Sequence, residues 1–306
     1  MKHGTYVNGN YFVSIDSYGN KTRRTFRRGE EFNPEFPEGI DLKITNKCSH
    51  GCPFCHESSI PEGKSFNLEK TKEILSNLPH APIELAVGGG NVLEIKKDLL
   101  KFLTWAKDYG FRTAITLKEE DALSDEFIRN VKLLEAVDAI GISRMSYKDP
   151  DSQNHYYPGY TIVVNHIIPG VFPIEDFDTL LENEERILIL GYKTFGRGIN
   201  YKPKNLEEWK DKIKKTLWNL RNSGGDYKIG FDNLAIEQLG IKDSLLNDEW
   251  LKSYMGDEFS CTMYVDAVEG ILGHASHIEE GRQSWDDENI LDYFKKNKKI
   301  YDSTSK

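Results

Sequence analysis

Long apolar runs are missing from this 306-residue sequence. None approaches the roughly 18 residues that a membrane span needs. A basic excess is missing as well. Forty Lys and Arg stand against 49 Asp and Glu, for a net charge of −9. A protein that lives on nucleic acid needs cations to neutralise phosphates, so the balance speaks against that partner. The local concentration Lys21, Arg23, Arg24, Arg27 and Arg28 reads as a solvated hairpin face or a small basic patch. The opening residues Met-Lys-His-Gly-Thr-Tyr lack the apolar core of a signal peptide, which makes the cytoplasm the expected compartment. Cysteine is scarce: four in the whole chain, three of them clustered, which is no disulfide framework. The cluster reads as a metal site in a reducing compartment.

Hydrophobic residues make up 38% of the chain and aromatics 11%, enough for a sizeable core. Residues 5 to 30 carry β-prone segments around the turn signals Asn8-Gly9-Asn10 and Tyr18-Gly19-Asn20, the pattern of a β-hairpin extension. Glu35-Phe-Pro-Glu-Gly39 breaks that pattern. From Ile40 strands and helices alternate. Strands are expected at 40–44, 82–87, 112–117, 137–142, 160–168, 187–190 and 227–231. Helices are expected at 68–78, capped by Asn67, at 93–109 up to Gly110, at 124–134, at 177–181 and at 206–221, ended by the glycines 224 and 225. Such alternation implies βαβ units and a mostly parallel sheet. The tail differs, with a short β pair expected around Val268-Glu-Gly270 and fraying over residues 301–306. The expected organisation is an N-terminal extension (1–36), a main body (37–235) and a C-terminal extension (236–306).

The segment Thr45-Asn-Lys-Cys48-Ser-His-Gly-Cys52-Pro-Phe-Cys55-His56 has the spacing C-x3-C-x2-C on the loop after the first main-body strand. Thiolates are soft ligands suited to zinc or to iron–sulfur clusters. Three on one tight loop can hold three corners of a cubane and leave one iron open to a substrate. A zinc site with His50, His56 or Cys261 as fourth ligand is the other reading, although the usual paired zinc spacings are absent. The stretch from Leu42 to Cys55 resembles the opening strand and cluster loop of the radical SAM superfamily. That resemblance implies an α/β fold, a partial (β/α)6-type barrel with an N-terminal β-hairpin extension and a small C-terminal α/β tail. It also implies a [4Fe–4S] cluster held by Cys48, Cys52 and Cys55, with S-adenosylmethionine on the open iron. Reductive cleavage would give a 5′-deoxyadenosyl radical that abstracts hydrogen from a substrate, either a peptide or a small molecule, a nucleotide included. An electron donor such as flavodoxin or ferredoxin is implied.

The resemblance assigns further residues. Gly88, Gly89 and Gly90 fall where a Gly-Gly-Glu-type stretch contacts the methionyl amino group, with Asn91 in place of the acid; glycine permits close approach because it has no Cβ. Ser143 and Arg144 end the fourth strand, a position that faces the ligand mouth of a barrel. Asn165 is a candidate cofactor contact, whereas His166 reads as a packed or exposed histidine. Lys193 and Arg197, after the sixth strand, suit an anionic group, and Asp232 is a further pocket candidate. Cys261 is a small buried hydrophobe, a hydrogen donor to a substrate radical or a ligand to a second metal. The stretch from Ser260 to His274 resembles the C-terminal hairpin of radical SAM peptide modifiers, but it lacks their extra cysteines, so one cluster is expected.

Overall fold

The computed structural model describes residues 4–147, 161–183, 186–223 and 228–298. The expected fraying at 301–306 and the glycines 224 and 225 lie outside them.

Alternating segments at the N-terminus form a three-stranded antiparallel meander, β1 (Gly4–Asn8), β2 (Tyr11–Ile15) and β3 (Lys21–Thr25). Gly9 turns the first hairpin at φ +60°, in the left-handed region that favours glycine. Tyr11, Val13 and Ile15 alternate onto the buried face.

Among the described residues the main sheet has ten strands and is open. Seven consecutive parallel strands run in chain order: β4 (Gly39–Thr45), β5 (Glu84–Gly89), β6 (Arg112–Lys118), β7 (Ala139–Ser143), β8 (Ile162–Ile167), β9 (Arg186–Ile189) and β10 (Lys228–Phe231). This is one strand more than a six-fold barrel. The tail extends the other edge. β11 (Thr262–Asp266) lies parallel beside β4, and β12 (Ile271–Gly273) and β13 (Gln283–Ser284) continue antiparallel. The β pair expected in the tail is therefore part of the same sheet as the cysteine loop.

Helices pack on the outer face. They are α1 (Leu68–Leu75), α2 (Lys96–Tyr109), the short α3 (Glu119–Ala122), α4 (Asp125–Ile128) and α5 (Val131–Glu135), then α6 (Phe177–Asn183), α7 (Leu206–Ser223), α8 (Asn233–Leu239), α9 (Ile241–Ser244), α10 (Asn247–Ser253) and α11 (Ile290–Asn297). Asn67 caps α1 as expected, its Oδ1 accepting from the Lys70 amide at 3.1 Å. The single helix expected at 124–134 is two, because the Asn130 side chain accepts from the Leu133 amide at 3.2 Å and starts a new helix there. One apolar cluster fills the space between β4–β7, β11 and helices α1, α2 and α11, with Phe102, Phe111 and Phe294 fully buried. A second, around Trp209, lies under α6 to α8.

The N-terminal meander is a plug as well as an appendage. Its second turn reaches across the N-terminal ends of the barrel strands. The Tyr18 carbonyl accepts from Arg186 Nη1 at 2.8 Å, and a Cβ on Gly19 would stand 2.9 Å from both the Arg112 guanidinium and Ile162. Only glycine, here at φ +81°, fits there. The basic residues of β3 divide accordingly. Arg23 and Lys21 turn inward to the buried Glu38, at 2.8 and 3.5 Å; Arg24 faces outward.

Candidate active site at the C-terminal ends of the strands

A cavity of about 350 Å³ opens at the C-terminal ends of the strands, the end where barrel loops gather. Cys48, Cys52 and Cys55, all half-buried, border it together. The loop that carries them is tied at its base, with Cys48 N–H bonded to the Ile60 carbonyl at 2.9 Å and Ile60 N–H to Asn46 at 3.0 Å. Burial pushes the Cys52 thiol up, and the Lys118 ammonium acts against it. Among the described residues no three His, Cys, Asp or Glu side chains form a group that could hold a single ion.

Arg197 braces this loop, where an anion-binding role was expected. Its Nε donates to the Cys52 carbonyl and its Nη1 to the Ser59 carbonyl, both at 2.9 Å, and its backbone N–H bonds the Cys55 carbonyl at 3.0 Å. The flanking glycines allow this approach. A Cβ at Gly196 would lie 2.5 Å from the His56 carbonyl, and one at Gly198 would lie 3.3 Å from the Phe54 carbonyl.

Gly88, Gly89, Gly90 and Asn91 line the same cavity. Two of the glycines serve chain packing. A Cβ would stand 2.4 Å from the Thr45 carbonyl at Gly89 and 2.1 Å from the Lys47 carbonyl at Gly90. The amides of Gly90 and Asn91 are already bonded to Thr45 and Lys47, each at 2.7 Å. Gly88 alone has open space where its Cβ would be. The Asn91 amide is engaged too, with Asp121 at 3.0 Å and His50 at 3.1 Å. His50 in turn meets Asp121 at 2.7 Å and Glu120 at 2.8 Å.

Ser143 and Arg144 line the cavity as expected. Arg144 is buried and held by Glu119 at 2.7 Å and by Asn165 Oδ1 at 2.6 Å. Asn165 lines no part of the cavity; it orients Arg144, and the next residue, His166, is the one that does line it. Successive strand residues point to opposite faces, so the two were transposed in the sequence reading. Burial depresses the His166 imidazole to about 4. Its ring fills the space over Gly141, where a Cβ would come within 2.3 Å. Lys193 lines the cavity, its ammonium donating to Ser276 Oγ at 2.7 Å. Asp232 does not. It caps α8, accepting from Ala235 at 2.7 Å and from Gly191 at 2.8 Å. Cys261 is also away from the cavity, buried near Arg23 and Glu38, where burial pushes its thiol up to about 11. That placement suits a core cysteine, not a hydrogen donor.

Sequence reading missed the charged wall. Lys43, buried on β4, pairs with Glu57 at 2.7 Å and with Asp266 of β11 at 2.9 Å. Burial works to raise the Glu57 carboxyl, but the bond from His56 and the Lys43 ammonium prevail and hold it at about 2. The alternation of Asp41 and Lys43 along β4 was the available signal.

No protein-family model and no curated protein matches the chain. Solved structures do. SuiB of Streptococcus suis bound to precursor peptide SuiA aligns with a TM-score of 0.62 at 13% identity, over 86% of this chain and 66% of that one. SuiB bound to S-adenosylmethionine aligns with a TM-score of 0.57 at 12% identity, over 86% and 67%. This chain thus spans about two thirds of SuiB's length. At these identities the likeness is one of fold. The architecture is a partial barrel like that of SuiB, with a loop of three cysteines at its mouth.

Proposed function

We propose that this chain is a radical SAM enzyme that modifies a peptide. The observation that carries the reading is the meeting of Cys48, Cys52 and Cys55 with Gly88, Ser143 and Lys193 around one cavity in that barrel. Three thiol donors on a single braced loop match the chemistry of a [4Fe–4S] cluster with one open iron. Bound there with S-adenosylmethionine, the cluster would supply a 5′-deoxyadenosyl radical for hydrogen abstraction. The chain's own residues do the positioning. Arg197 fixes the carbonyl side of the loop, and Ser49 N–H, bonded to Glu94 at 2.7 Å, fixes its first turn. Gly88 keeps the wall open for the cofactor, and Lys193 and Arg144 place positive charge beside it.

A peptide is favoured as substrate because SuiB, of the same fold, binds precursor peptide SuiA. The cavity volume of about 350 Å³ is at the small end of ligand sites, so a peptide would lie across the mouth with one side chain inserted.

Anaerobic reconstitution tests the reading. Brown protein with about four iron per chain, and reductant-dependent release of 5′-deoxyadenosine, are expected. Colourless protein carrying stoichiometric zinc would sink it. Cys55→Ala should abolish both colour and release.

A further inference from the structure

Asp41 is a carboxylate that no described residue satisfies. It sits in the middle of β4, two residues before Lys43, and faces the cavity. It makes no hydrogen bond or ion pair with any described residue, whereas Lys43 on the same face has two carboxylate partners. On one side its neighbour across the sheet is Tyr264 of β11; on the other the neighbours are small. Ala86, Ala114 and Ala139 occupy the same register on β5, β6 and β7, so the interior is unfilled on that side and Asp41 and Ala86 remain open to it. Other charges are nearby but occupied elsewhere: Lys193 is bonded to Ser276, and Asp232 to the amides of Gly191 and Ala235. The N-terminal turn closes the far end of the strands, so Asp41 lies toward the floor and the cysteines at the mouth.

Asp41 is exposed to the open cavity although it lies deep among the strands, and a carboxylate that faces a cavity without a protein partner is the mark of a ligand contact. We infer that Asp41 receives a cationic group of the substrate, an alkylammonium or guanidinium side chain that enters past the cysteine loop. This rests on the enzymatic reading above and names its substrate class. Burial raises the Asp41 carboxyl and Lys193 works against that rise; Asp232 and Glu84 add to it. An entering cation would lower it again and complete the missing pair.

The test uses the full reconstituted chain at neutral pH and two probes, Nα-acetyl-lysine methylamide and its Nε-acetylated, uncharged form. Isothermal titration should show the cation binding at least about tenfold more tightly, the size of one charge-assisted hydrogen bond. Asp41→Asn, which keeps the shape of the side chain, should erase the difference, and Asp41→Glu should restore part of it. Unchanged circular dichroism and melting temperature show that the variants are folded. Binding of the two probes within about twofold, a preference that survives Asp41→Asn, or no binding of either overturns the inference. Iron content and deoxyadenosine release are measured separately. Loss of cation preference with release intact overturns only the role of Asp41; absent release with the preference intact overturns only the radical reading.

Discussion

Removing the Arg197 side chain should loosen the cysteine loop while leaving the barrel folded. Arg197→Ala deletes two bonds from a guanidinium to main-chain carbonyls, those of Cys52 and Ser59, both 2.9 Å long. A hydrogen bond from a charged donor contributes about 1.5–3 kcal/mol, so two additive bonds would give about 3–6 kcal/mol. The remaining nitrogen, Nη2, is buried without a partner, and its lost hydration offsets about 1–3 kcal/mol of that sum. The net expectation is about 2–3 kcal/mol. At about 1.4 kcal/mol per tenfold, local opening of the loop should become roughly 30- to 150-fold more frequent. Amide hydrogen exchange at Cys48 and Ile60 reads this directly, since both amides close the base of the loop. Amides of β6 and β7 serve as the unchanged reference. Arg197→Lys should fall between, because an ammonium keeps the charge but cannot span two carbonyls. The measurement is made on metal-free protein, so it does not depend on cofactor loading. Exchange at Cys48 and Ile60 within about twofold of wild type would refute the brace.

Titration of His166 by NMR should give a midpoint near 4, against its ordinary 6.5. Because the folded value is depressed, its contribution to stability is complete above 6.5 and is lost as pH falls through 4; it amounts to about 3 kcal/mol, and a midpoint at 6.5 would contradict the burial argument. Adjacent glycines should respond oppositely. Gly90→Ala drives a Cβ to 2.1 Å from the Lys47 carbonyl and should lower the unfolding free energy, read by urea titration, by about 1–3 kcal/mol, whereas Gly88→Ala, with nothing within 4 Å, should change it by less than about 1 kcal/mol. Trp209→Ala should cost about 3–5 kcal/mol in the same assay, since the side chain is 1% exposed at the centre of the second apolar cluster.

Strand positions and the cysteine loop were legible because each depends on local pattern. Apolar runs such as Ile187 to Leu190 mark buried parallel strands, and the spacing of Cys48, Cys52 and Cys55 confines them to one turn of chain. The tail pair around Gly270 was legible for the same reason, but its docking beside β4 was not, since nothing local to Met263 or Val265 states which edge they join. Side-chain partnerships were the weakest reading. Arg197, Asn91 and Asp232 carry the residue types of ligand contacts, and each is spent on main-chain or side-chain atoms of this chain. Gly88, Gly89 and Gly90 line the cavity, yet the close approach that two of them allow is to Thr45 and Lys47. Strand parity favoured neither Asn165 nor His166 until the partner of Arg144 was known.

The parallel pairing of β11 with β4 has a consequence for synthesis. Lys43 and the three cysteines leave the ribosome well before Tyr264 and Ser276 of the same cavity wall, and before Asp266, the partner of Lys43. At about 5–20 residues per second, the thiols wait roughly 10–40 s before their wall can close. During that interval they are ordinary solvent-facing cysteines, open to oxidation and to adventitious metal. Selective loading of the finished site thus depends on the arrival of β11, and an arrest or truncation before it would leave a loop with thiols to offer and an incomplete cavity to govern what they take.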